Sequence, residues 1–154
     1  MKKLPIFAAL CCLWVAATAS WAQKSPTDED EMYYWKVLSK VRVKTTFDPK
    51  TQNMSYEPVF GKHIEQLQGK TIKIKGYIIP ADLARGKMTL SAFPFSSCFF
   101  CGGAGPETVM EIEASQPIIY RMDKPVVLQG KLKLNREDPF RLFYILQEAK
   151  YGDD

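Results

Sequence analysis

The residues of this chain best suited to chemistry lie within ten positions, Cys98-Phe99-Phe100-Cys101-Gly102-Gly103-Ala104-Gly105-Pro106-Glu107. Two thiols three residues apart can chelate one soft metal ion or close a small disulfide ring. Gly102 and Gly103 free the backbone to aim amides back at Cys101, which would favour a thiolate over a thiol. Closed structural zinc sites take four ligands. A full zinc site would therefore have to recruit the lone histidine His63, the acidic Glu107, water or a second subunit. Monovalent copper is soft and prefers thiolate or thioether donors, so Cys98 and Cys101 with Met88 or Met110 would suit it better. Both methionines also fall on inward strand faces, where filling the core is the commoner use.

The same spacing supports two other readings. In an oxidising compartment a pair of cysteines usually forms a disulfide, which here would staple a glycine-rich loop shaped by Gly102, Gly103, Gly105 and Pro106. So short a ring restricts the unfolded chain little, so it would add little global stability. A thiol-disulfide redox protein ranks third, because its CxxC opens a helix in a βαβ setting and this one joins two strands. Haem attachment is excluded, since Gly102 stands where a histidine is required. Phe93, Phe95, Phe99 and Phe100 crowd the cysteines, and they either plug the barrel end or form an apolar patch that docks a partner. No phosphate-binding glycine loop, no nucleophile paired with a histidine and no catalytic carboxylate pair stands out. A non-catalytic binding module with no nucleotide is the better expectation.

The start of the chain gives an address. Lys2 and Lys3 precede an apolar run at residues 4–15, and Ser20 and Ala22 occupy the small-residue positions of an export signal cut before Gln23. Cys11 and Cys12 lie in that run without the small residue expected ahead of a lipidated cysteine. Cleavage would leave only Cys98 and Cys101 of the four cysteines, and 19 basic against 17 acidic residues, a formal charge of +2. So small a charge argues against nucleic acid as a ligand. No second long apolar segment follows, so no stable membrane span is expected after cleavage. The expected location is periplasmic or secreted.

The elements that must hold the loop follow from periodicity. Residues 23–31 form a polar leader with a helix start, and residues 32–68 form a cap: a helix carrying Met32, Trp35 and Leu38, a hairpin, and a short helix over residues 59–67. Period two governs the rest. Ile72 and Ile74 alternate with lysines, Gly76 breaks the pattern where a strand bends from one sheet to another, and Pro80 ends it. Met88, Leu90 and Ala92 form a second strand, Met110 and Ile112 a third, Leu128, Gly130, Leu132 and Leu134 a fourth, and residues 141–148 the last. Five strands with short connections and no βαβ alternation, over residues 69–150, predict a mainly β protein. The expected fold is a small five-stranded OB-like Greek-key barrel with an N-terminal helix and hairpin.

With Gly76-Tyr77-Ile78-Ile79-Pro80, then Leu90-Ser91-Ala92-Phe93-Pro94, then the cysteine loop, the chain resembles an exported bacterial family, domain of unknown function 3299, in the version common in Bacteroidetes. The resemblance covers roughly residues 35–148 and implies a periplasmic OB-like barrel without assigning an activity. Some relatives sit near transport systems regulated by zinc, which brings in metal handling by association. The combined expectation is an exported OB-like module that binds or delivers zinc or copper through Cys98 and Cys101. Its partner would be an envelope protein or a metal-transport component. The alternative is a non-catalytic interaction protein with a structural disulfide.

Overall fold

The structure is a computed structural model that describes residues 28–50, 52–82, 87–119, 121 and 123–152. The expected export signal and residues 23–27 of the leader lie outside the described residues. In chain order the elements are α1 (Asp28–Leu38), β1 (Arg42–Asp48), β2 (Asn53–Val59), α2 (Lys62–Glu65), β3 (Thr71–Asp82), β4 (Lys87–Ser91), β5 (Val109–Ala114), β6 (Pro125–Leu134) and β7 (Tyr144–Tyr151). β3 to β7 close a barrel in the order β3-β4-β5-β7-β6, while β1 and β2 form a separate antiparallel pair. Within the barrel β5 and β7 run parallel and the other pairings are antiparallel. That is the five-stranded Greek-key arrangement of an OB barrel.

Two glycines make the closure fit. β3 pairs with β6 over Thr71 to Tyr77 and with β4 from Tyr77 onward, so it changes partner beside Gly76. A β-carbon at Gly76 would stand 2.6 Å from the Ser91 carbonyl oxygen, so only glycine allows the strands to cross so closely. Gly130 does the same in β6, at a register shift against β7, where a β-carbon would stand 2.7 Å from the Gln147 carbonyl oxygen. The interior is aliphatic: Ile72, Ile74, Leu90, Leu128, Leu132 and Leu146 are all sealed from solvent.

α1 closes one end of the barrel. Its Trp35, Val37 and Leu38 are buried, and two long-range hydrogen bonds orient it. The Trp35 indole donates to the Lys75 carbonyl at 2.7 Å, and the buried Tyr144 hydroxyl donates to the Leu38 carbonyl at 2.8 Å. Burial pushes the Tyr144 phenol up, with the Glu107 charge as a second cause, so it stays a donor. Among the described residues no helix is long and apolar enough to cross a membrane.

Three boundaries differ from expectation, each for a local reason. Val59 pairs with Arg42 in the hairpin, so the short helix is confined to Lys62–Glu65. β3 continues past Pro80 to Asp82, because a register shift between Ile79 and Asp82 absorbs the missing N–H. β7 starts at Tyr144 instead of residue 141, because the preceding backbone is already engaged. The Asn135 amide donates to the carbonyls of Asp138, Arg141 and Leu142.

Candidate functional site: an open dithiol loop

The cysteine loop spans the gap between β4 and β5, and the barrel fastens its base. The Ala92 amide donates to the Thr108 carbonyl at 2.9 Å, and the Phe93 amide donates to the Ser91 hydroxyl at 3.1 Å. Between these anchors the chain makes three single 3-10 turns, Phe95–Ser97, Phe99–Cys101 and Pro106–Thr108. Cys98 lies between the first two in extended conformation. Its carbonyl accepts from the amides of Cys101, at 3.1 Å, and Gly103, at 3.2 Å.

Two glycines here have distinct duties. Gly102 adopts φ +76°, a left-handed conformation that ends the second turn. Gly103 lies so close to Ser97 that a β-carbon would come within 2.8 Å of its carbonyl oxygen. The loop is thus folded back on itself just beyond the cysteines.

The cysteines are separate thiols, with Cys98 sealed at 0% exposure and Cys101 open to solvent. Their sulfurs share a hydrogen bond at 3.7 Å. That bond is the main reason the Cys101 thiol sits above its ordinary pKa, followed by desolvation and the Cys98 charge. The expected amide support for a Cys101 thiolate is not provided: the Gly102 amide donates to the Phe99 carbonyl and the Gly103 amide to the Cys98 carbonyl. Backbone geometry here positions the thiols instead of ionising them. Two ligands at about 2.3 Å from one tetrahedral metal lie about 3.8 Å apart, so the sulfurs stand at a chelating separation.

The other expected site residues disperse. Among the described residues no group of three histidine, cysteine, aspartate or glutamate side chains converges into a metal cage. His63 is exposed on α2. Glu107 is half-buried, and its carboxylate fills the space that a side chain at Gly105 would need. Pro106 occupies the first turn of the last 3-10 helix, where a proline suits the backbone. Met110 is fully buried in the core and Met88 packs against it.

Phe99 and Phe100 meet edge to face at 5.3 Å, whereas Phe93 lines a cavity beside α1. The Phe95 amide donates to the Asp123 carboxylate, tying the loop to the turn before β6. Phe93, Phe95 and Phe100 remain 43 to 47% exposed.

Sequence reasoning missed what stands opposite the loop. The hairpin places Val43, Thr45, Met54 and Tyr56 on one face, and that face overhangs a cleft of about 1050 Å³ whose far walls include Phe99, Pro106 and Phe140. Arg141 holds the loop between β6 and β7 to β5, donating to Glu111 at 2.7 Å and Glu113 at 2.7 Å. The signal available was the alternation Val43, Thr45 and the charged pair Glu111 and Glu113 two residues apart. A single sequence does not name Arg141 as the partner of both.

Fold and loop together define a class: a closed OB-type barrel carrying an open dithiol between its second and third barrel strands. Comparison with models of protein families, with curated proteins and with solved structures gives no match to this chain.

Proposed function

We propose that this protein is an exported metal-binding module that takes up one soft metal ion, copper or zinc, on Cys98 and Cys101 and passes it to an envelope partner. The observation that carries this reading is the pair of separate sulfurs 3.7 Å apart, one buried and one open. A buried donor keeps its place in the loop while an exposed one can release the ion. Two thiolates alone do not complete a zinc cage, so water or a donor on the partner would fill the remaining positions. That incompleteness suits transfer better than storage. The resemblance to the exported family and its zinc-linked neighbours supports the same direction. When bound, the metal would replace the thiol protons, so uptake releases protons and strengthens as pH rises.

The test is native mass spectrometry of protein matured in a periplasm and purified without chelator or reductant, repeated on Cys98→Ser/Cys101→Ser. One metal ion per chain with both thiols retained, lost in the double variant with the fold intact, is the expected result. A metal-free chain lighter by two hydrogen atoms, lost as two protons and two electrons to the oxidising compartment, would instead make the cysteines a structural disulfide and leave the loop as a stapled interaction surface.

A further inference from the structure

A second cavity, of about 770 Å³, lies between α1 and the ends of the cysteine loop. The residues that line it include the aromatic Tyr33, Trp35 and Phe93, with Glu107 and Lys36, and Trp35 is the buried one of the three. The ring of Trp35 is held in place by its hydrogen bond to Lys75. Tyr33 is 55% and Phe93 43% exposed, so aromatic surface is left uncovered at the mouth. Glu107 makes no hydrogen bond or ion pair among the described residues, although it is half-buried and its charge is felt by Tyr144. Lys36 does not pair with it. A carboxylate with no hydrogen bond or ion pair among the described residues, lining one cavity with several aromatic residues, is the chemistry that attracts an organic cation, through charge and through the negative ring faces.

We propose that the cavity bounded by Tyr33, Trp35, Phe93 and Glu107 is a binding site for an organic ammonium group. The aromatic rings would surround the cation's methyl or methylene groups while Glu107 neutralises its charge. Lys36, which also lines the cavity, is a like charge that would weaken entry. This site needs neither cysteine, so it is independent of metal binding.

The experiment is a titration of the full chain, labelled with nitrogen-15, following the Trp35 indole N–H by NMR. The probes are choline, butylammonium and the neutral choline isostere 3,3-dimethylbutan-1-ol. Saturable shifts with a charged probe, and binding of the neutral isostere weaker by about tenfold, are expected. Choline alone would mark a quaternary site and butylammonium alone a primary-amine site, and either result supports the proposal. Glu107→Gln is expected to lose about tenfold in affinity and Lys36→Gln to gain roughly twofold to fivefold, with the rest of the spectrum unchanged. Equal binding of the neutral isostere, or no saturable shift with any probe, overturns it. Cys98→Ser/Cys101→Ser keeps cation binding if the site is independent, so failure of the metal reading would leave this result untouched.

Discussion

The barrel and the cysteine loop meet the same steric problem and answer it with different reserves. At Gly130 a β-carbon would stand 2.7 Å from a carbonyl oxygen, and at Gly103 one would stand 2.8 Å from another. Gly130 sits between β3 and β7, whose ladders extend on both sides, so its neighbours have nowhere to move. Gly103 is held by one hydrogen bond, from its amide to the Cys98 carbonyl, inside a loop of single turns. Rigidity here comes from how many independent pairings fix a residue, and the loop has few.

Substituting both glycines with alanine turns that contrast into numbers. Gly130→Ala should cost roughly 1–3 kcal/mol, the usual range for overfilling a packed interior, read from urea denaturation. Gly103→Ala should cost less than about 1 kcal/mol, because the turn can open. It should nevertheless weaken metal uptake, since the displaced segment carries Cys98. Equal losses of stability at the two positions would mean the loop is as tightly determined as the barrel.

Arg141 is the next largest effect, and it lies between the two regimes. Its guanidinium bridges Glu111 and Glu113 on β5 and anchors the loop wall of the hairpin cleft. Replacing it with methionine should cost about 1–2 kcal/mol, given charge-assisted bonds that are only partly shielded from water. The Glu113 carboxyl is held below its ordinary pKa, first by the Gln147 amide and then by Arg141. A depressed carboxylate stabilises the fold above its unfolded pKa, and that contribution is lost as pH falls through the folded value. Stability should therefore drop below about pH 4.3, and Arg141→Met should flatten part of that acid limb. An unchanged acid limb would assign the shift to Gln147 alone.

How much of this was legible follows from the range of each interaction. Alternation of Ile72 and Ile74 with lysines, and of Leu128 and Leu132 with polar residues, announced the barrel, since period two is a property of neighbours in sequence. The bend at Gly76 was also legible, because a glycine inside a strong strand needs a reason. The position of Glu107 was not. Its carboxylate folds over Gly105 and lines the cavity beside α1, a consequence of the last 3-10 turn and of docking α1 with Trp35 and Tyr144. The side chain of Asn135 organises the loop before β7 through carbonyls up to seven residues away, a reach that local periodicity does not announce. The direction of the Gly102 and Gly103 amides failed for a similar reason: nearby carbonyls captured them before the sulfur could.

The smallest effect on stability should come from the exposed Cys101, and the contrast with the buried Cys98 sharpens the comparison within the loop. Cys101 is exposed, so Cys101→Ser should leave the urea unfolding midpoint unchanged within error. Cys98 is buried, so a hydroxyl in its place should cost about 1 kcal/mol or somewhat more. Reactivity should run the other way. Alkylation proceeds through the thiolate, and the Cys98 hydrogen bond keeps the Cys101 thiol protonated to higher pH than usual. In the intact protein, labelling of Cys101 by iodoacetamide should keep climbing at pH values where an ordinary cysteine has levelled off. Cys98→Ala removes that hydrogen bond, so Cys101 should react faster near neutral pH although its exposure is unchanged. A mass-resolved labelling rate measured from about pH 6 to about pH 11, a span that brackets the ordinary thiol pKa of about 8.5, decides the point. If the variant and the intact protein label at the same rate throughout, the two sulfurs act independently and the shared proton plays no part in how the loop takes up a metal.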